Sequence, residues 1–297
     1  MWGRPAWLPE PVSHVFNEMG AIYAPLYGTS SAAEVREREI MRVLDRFVSI
    51  VRKGVNIAAL GLAGLLVGAA TPPGEPCRIV AHKGGDYVVC SFDPAHHHVA
   101  LHLRDGDGEP FGSITTLRRA TPNTLFAMNA GMYHPDLSPV GLYVEDGKEE
   151  TPLVTNDGWG NFHLLPNGVF AVVETEGVQR FIVEESLAFQ RERPTDIAHA
   201  TQSGPMLVID GALHPRFLPR SDSLKIRNGV GVTPDGHVHF AISRGAVRFH
   251  DFGTLYRDVI GAPNALFLDG TVSSFESGSF RRGTFRAIGP IVSVSER

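Results

Sequence analysis

Cysteine, net positive charge and long uncharged runs are all scarce in this chain of 297 residues. With two cysteines, at most one intrachain disulfide can form. Lysine and arginine number 27 against 32 aspartate and glutamate, for a net charge of −5. Without a broad basic field, nucleic acid is not an expected partner. The charge-free apolar stretch at residues 55–70 falls short of the about twenty residues that a membrane-spanning helix needs.

Several enzyme signatures are missing too. There is no GxxxxGK(S/T) phosphate loop and no HExxH zinc helix. Ser203 has Thr201 and Pro205 where a hydrolase nucleophile elbow requires glycine. His96, His97 and His98 are adjacent, but only His96 and His98 share a face of a strand. No third ligand is placed by spacing, so they read as solvent-facing, and no metal or other cofactor is expected. No repeat period and no regular βαβ alternation appears.

What the chain does have is 43% hydrophobic and 20% charged residues, the balance of a folded globular protein. Its 32 glycines and 21 prolines suit a sheet-rich protein with many tight turns. Arg42, Arg46, Arg52 and Lys53 precede the apolar stretch, and Gly68-Ala69-Ala70 end it. A basic head, an apolar middle and a small-residue end make an export signal. Met41, followed by Arg42, would be a suitable start, which leaves residues 1–41 as an irregular extension. The rival reading of residues 42–70 is an uncleaved membrane anchor behind a cytoplasmic tail. Residues 71–76 read as a linker and 77–297 as one domain. The expected location is outside the cytoplasm, periplasmic or extracellular, with membrane contact only through the N-terminal segment.

Cys77 and Cys90 flank a predicted hairpin that bends at Lys83-Gly84-Gly85-Asp86. Such a hairpin can carry a disulfide, and export favours that pairing over two buried thiols. Further strands are expected at 87–90, 99–103, 140–144, 162–165, 169–173, 206–209, 230–232 and 238–242. Pro166-Asn167-Gly168 and Pro234-Asp235-Gly236 read as hairpin turns. Phe249, Phe252, Leu255, Tyr256 and Val259 recur at helical spacing, which predicts an amphipathic helix over 249–259. Weaker helical patterns cover 113–119 and 184–191. The expected fold is α+β, one domain on a large mixed, mainly antiparallel sheet with a few helices.

Three apolar runs end abruptly in polar and glycine residues: at Asn129-Ala130-Gly131-Met132-Tyr133, at Asp210-Gly211 and at Asp269-Gly270. Strand ends hold polar groups rigidly, and glycine lets backbone approach a ligand, so these switches are candidate walls of a small-molecule site. An Asn-Gly or Asp-Gly pair can equally be a plain turn. Lys225 and Arg227, two apart, share a face in an extended segment and could hold a phosphate, or simply mark a solvated edge. Asp269 would be rigid and partly desolvated, with Ser273 and Ser274 beside it. His134, Asp157 and Asn161 fall close to the same kinds of turn.

At these residues the chain resembles the phosphodiester glycosidase domain family, in its exported bacterial branch related to the lysosomal uncovering enzyme. The blocks NAGMY, SPVGLYVEDGK, NGVF, QSGPMLV, KIRNGVGV and LDGTVSSF carry the resemblance, over roughly residues 77–294. It implies a site holding Asn129 and Gly131 from the first block and Arg227 from the KIRNGVGV block. The last block adds Asp269, Ser273 and Ser274. Tyr133, His134, Asp157, Asn161, Gln202, Ser203, Lys225 and Asn228 complete the expected substrate contacts. Ala130 and Thr271 depart from the family, which more usually has glycine at both positions.

The resemblance implies hydrolysis of a glycosyl phosphodiester, with a phosphate-bearing small molecule or glycan as substrate. Its leaving group is a phosphate monoester, whose second pKa of about 6 lets it depart without strong protonation. Asp269 is then expected at the anomeric carbon, Arg227 with Lys225 at the phosphate, and asparagines at hydroxyls. The alternative is a non-catalytic module that binds phosphorylated or anionic envelope glycans with the same cations.

Overall fold

The computed structural model describes residues 75–270 and 272–297, so the predicted extension, the export segment and most of the linker lie outside the described residues. The chain opens with β1 (Cys77–His82), β2 (Gly85–Phe92) and β3 (His97–His102). Helix α1 (Ile114–Ala120) precedes β4 (Thr124–Asn129), β5 (Tyr143–Glu145) and β6 (Lys148–Thr151). Then come β7 (Gly168–Thr175), β8 (Val178–Glu185) and helix α2 (Ser186–Arg191). Next are β9 (Ile197–Ser203), β10 (Met206–Ile209), β11 (Ala212–Leu213), β12 (Asn228–Val232) and β13 (Val238–Ser243). Helix α3 (Phe249–Thr254) runs on as a wider π turn (Leu255–Ile260). The domain closes with β14 (Asn264–Asp269), β15 (Phe275–Ser277), β16 (Phe280–Arg282) and β17 (Ile291–Glu296).

The fold is α+β and mainly antiparallel, with its strands shared among three sheets. The largest has the order β1-β2-β13-β12-β14-β10-β11; the others run β16-β15-β4-β17-β3 and β6-β5-β9-β7-β8. Their inner faces meet in one core. Phe92 and Phe240 come from the first sheet, Phe126 from the second and Phe170 from the third, all buried. Phe126 stacks on Phe240 at 5.0 Å between centroids, and Phe170 meets Phe240 edge-on at 5.8 Å. Each such ring removed from water contributes about 1.5–3 kcal/mol.

The other face of the large sheet is covered by α3 and its π turn. Phe252, Leu255 and Tyr256 pack there against Val89, Ala241, Ala265 and Phe267. That contact explains the glycine pattern of β12: a Cβ on Gly231 would lie 2.8 Å from the Tyr256 ring. Val230, between the glycines, points the other way into the shared core. Gly261 ends the π turn in the left-handed region, at φ 81°.

The local predictions fare unevenly. The stretch 249–259 is helical, α over its first half and π over its second; Ser113 caps α1, and the Glu185 carboxylate caps α2. Cys77 and Cys90 are directly paired across β1 and β2 and form a disulfide, with Lys83 and Gly84 turning the hairpin at positive φ. Residues 162–165 are turn, not strand, so Pro166-Asn167-Gly168 joins no hairpin. β7 instead pairs with β8 across Glu176-Gly177. Of the predicted strand 140–144 only Tyr143 and Val144 are strand, continued by Glu145, because Val140 is tied back to Met132. Asp210-Gly211 is the turn between β10 and β11, beside the start of β14 rather than its end. No helix among the described residues is long and apolar enough to cross a membrane.

Candidate functional site

Three strand termini meet where the large sheet adjoins the second: the end of β4 at Asn129, the start of β12 at Asn228 and the end of β14 at Asp269. Their side chains knit together. Asn129 Nδ2 donates to Asp269 Oδ2 at 2.8 Å. Asn129 Oδ1 accepts from Asn228 Nδ2 at 3.0 Å and from the Ser274 N–H at 2.8 Å. Asn228 Oδ1 accepts the Asp269 N–H at 2.6 Å. The β12–β14 register slips at this point, and the Asn228 side chain stands in for the displaced ladder bond. Such irregularities re-aim side chains at strand ends.

Asp269 looks out from this network into a cavity of about 990 Å³. Burial pushes its carboxyl pKa up to about 6, against the opposing hydrogen bonds from Gly270 N–H and Asn129. Arg227 lines the same cavity while being 1% exposed. Its Nε donates to the Val247 carbonyl and its Nη2 to the Ser223 carbonyl, both at 3.0 Å. Its guanidinium lies 3.4 Å from the Phe249 ring centroid, and Phe267 is the next ring. An aromatic face and carbonyls can hold a buried cation. Burial lowers its pKa to about 10, so it stays charged near neutrality. Arg227 forms no ion pair among the described residues, so its charge is not neutralised by the fold.

The remaining walls come from four segments. Tyr133 and His134 follow β4, and Asn161, Phe162 and His163 come from the turn before β7. Lys225 precedes β12, and Arg286 reaches in from the loop before β17. Trp159 stands at the wall almost wholly exposed, at 97%. Burial and the Asp269 charge raise the Tyr133 hydroxyl pKa while Arg286 opposes the rise, which places all three groups in one neighbourhood.

The structure thus brings Tyr133, His134, Asn161, Lys225, Arg227 and Asp269 to one cavity. Other expected contacts are turned to the protein. Asn129 and Asn228 are spent on the network above. Gln202 bonds the Val154 and Leu142 main chain and the Ser186 hydroxyl, and Ser203 donates to the Leu268 carbonyl. Gly131 is needed for packing: a Cβ there would collide with Thr201 Oγ1 and sit 2.7 Å from the Gln202 carbonyl. Ser273 turns back on the Gly270 carbonyl, and Ser274 lines a smaller neighbouring hollow. Asp157 is exposed and does not line the cavity. His163 and Arg286 are wall residues that the sequence reading did not assign. His163 had a local signal, since it closely follows Gly158, Gly160 and the candidate Asn161. Arg286 had none.

The phosphodiester glycosidase family profile matches residues 122–277. The uncharacterized protein YigE of Escherichia coli (strain K12) is 35% identical over 187 residues, 62% of this chain and 71% of that protein. A hypothetical protein from Synechocystis shares the fold, with a TM-score of 0.50 and 15% identity over 74% of this chain and 61% of its own. The catalytic domain of zebrafish N-acetylglucosamine-1-phosphodiester alpha-N-acetylglucosaminidase, auto-inhibited by its pro-peptide, is similar with a TM-score of 0.49 and 15% identity. That match covers 74% of this chain and 82% of the zebrafish one.

Proposed function

Since this chain belongs to the phosphodiester glycosidase family, we propose that it hydrolyses a glycosyl phosphodiester, with Asp269 acting at the anomeric carbon and Arg227 holding the phosphate. One observation carries the reading: an uncompensated buried guanidinium and a desolvated carboxylate face the same cavity without pairing. The cation suits a phosphate oxygen, and the carboxylate suits the positive charge that grows at an anomeric carbon.

In the reaction the bond from the anomeric carbon to the ester oxygen breaks. Its electron pair leaves with the phosphate, producing a phosphate monoester whose second pKa is about 6. Arg227 and Lys225 stabilise that leaving charge, and Arg286 lies on the same wall. The Asp269 carboxylate attacks the carbon or stabilises its charge, and water supplies the new hydroxyl. The proton released by water can pass to His134 or His163, both of which line the cavity. Asn129 acts by fixing Asp269. Trp159 offers an apolar face of the kind on which a sugar ring stacks.

A module that only binds anionic glycans has no use for a desolvated carboxylate, which repels phosphate. The Cys77–Cys90 disulfide suits an oxidising compartment, so the reading includes export. The test is turnover of a panel of sugar-1-phosphodiesters by wild type and Asp269→Asn. The reading expects product from the wild type and a loss of roughly 10²–10³-fold in the variant. Tight binding without any product would instead support the binding module.

A further inference from the structure

Resting on that reading of the cavity, we propose that the hollow beside it takes a second phosphate of the same substrate, so that the substrate class is a chain in which phosphate recurs, such as a polyol- or sugar-phosphate polymer. The hollow has a volume of about 70 Å³ and lies between residues 112–115 and the stretch from the end of β16 to residue 288. That is room for a few waters or one tetrahedral oxyanion. Arg281, Arg282 and Arg286 line it, and none of them forms an ion pair among the described residues. The carboxylate on its wall, Glu276, is already paired with Arg118 at 3.3 Å. Ser274 also lines it, 4% exposed, and its hydroxyl has no hydrogen-bond partner among the described residues. Three unpaired guanidinium groups and one idle buried hydroxyl make a site for an oxyanion.

Two links join the hollow to the reaction cavity. Arg286 lines both. Asn129 accepts the Ser274 N–H and donates to Asp269, so a single side chain separates Ser274 from the carboxylate. On the far side Arg281 and Arg282 continue into a further hollow of about 350 Å³ that also holds Arg244. Cations therefore run from Lys225 and Arg227 through Arg286 to Arg282 and Arg281, and then to Arg244, which already pairs with Asp86 at 4.0 Å. A lone phosphodiester would engage only the first part of that path. A polymer with regularly spaced phosphates would engage all of it.

The experiment is a calorimetric titration with two probes, 1,3-propanediol monophosphate and 1,3-propanediol bisphosphate. Wild type should bind the bisphosphate about tenfold more tightly than the monophosphate, with a gain that shrinks as salt rises. In the Arg281→Gln/Arg282→Gln double variant the gain should vanish while monophosphate affinity and melting temperature stay unchanged. Equal affinities in wild type, or a gain that survives in the variant, would overturn the second site. Turnover of a methyl sugar-1-phosphodiester is measured in parallel. Its absence in wild type would sink the proposed activity while the binding comparison still decides the hollow.

Discussion

Asn129 Nδ2 donates to Oδ2 of Asp269 at 2.8 Å, and the same asparagine is 0% exposed. The bond holds one carboxylate oxygen toward the network and leaves the group aimed at the cavity. Asn129→Ala removes that donor, strands the buried Ser274 N–H and takes one of two bonds from Asn228 Nδ2, which keeps the residue-129 carbonyl. The stranded group costs about 1–3 kcal/mol, so the melting temperature should drop clearly. A hydrogen bond to the ionised form lowers a carboxyl pKa, so its loss should move the acid limb of the pH–rate profile upward. A purely structural role would lower stability and leave that limb in place.

The pKa of Asp269 ties stability and activity to pH in opposite directions. Its folded value is raised to about 6, against about 3.9 for an unperturbed aspartate. The native state therefore holds this proton more tightly than the unfolded chain does. The stability it contributes is fully present below about pH 4 and is lost as pH rises through about 6. Asp269→Asn does not titrate, so its melting temperature relative to wild type should climb between about pH 4 and 7 and then level off. The rate constant kcat/KM of wild type should rise through an apparent pKa of about 6. A melting difference that stays flat with pH would contradict the desolvated carboxylate.

Arg227 is buried against Phe249 and forms no ion pair among the described residues. Arg227→Met keeps much of the volume but takes the guanidinium donors from the Val247 and Ser223 carbonyls, so stability should fall by about 1–3 kcal/mol. Turnover of phosphodiester substrates should fall by roughly 10²-fold or more. A neutral aryl glycoside of the same sugar should lose much less. Equal losses on both would mean that Arg227 shapes the cavity without holding phosphate. Arg227→Lys should rescue little, because a lysine cannot reproduce the planar fork that bonds Val247 and Ser223.

Gly131→Ala separates packing from ligand approach. The new methyl would collide with Thr201 and crowd the Gln202 carbonyl. Overpacking of this kind costs about 1–3 kcal/mol. The variant should melt lower while KM stays within about twofold of wild type at temperatures where both are folded. A raised KM with unchanged melting would mean instead that substrate lies against this backbone.

The helical stretch 249–259 was legible because Phe249, Phe252, Leu255 and Tyr256 recur at a spacing that only a helical face explains, but nothing in that spacing signalled the π turn of its second half. The division into three sheets was not legible. Alternation along a strand says that one face is buried, but not which sheet buries it, and Phe126 and Phe240 read alike in sequence. Asp269, Arg227, Lys225 and Tyr133 stood out as polar residues next to apolar runs. Asn129, Asn228 and Gln202 carry the same local mark, yet they are consumed by each other and by the main chain. Only long-range pairing distinguishes a residue that faces substrate from one that braces it. Arg286 was hidden for the converse reason: it sits in a loop with no pattern and reaches the cavity through tertiary placement alone.

The most direct test of the account is where oxygen from solvent ends up. A sugar-1-phosphodiester turned over in water enriched in oxygen-18 should yield labelled sugar and unlabelled phosphate monoester, because the bond that breaks is the one to the anomeric carbon, beside Asp269. Label in the phosphate would mean attack at phosphorus, and Asp269 and Arg227 could not then play the parts of anomeric-carbon carboxylate and leaving-group cation.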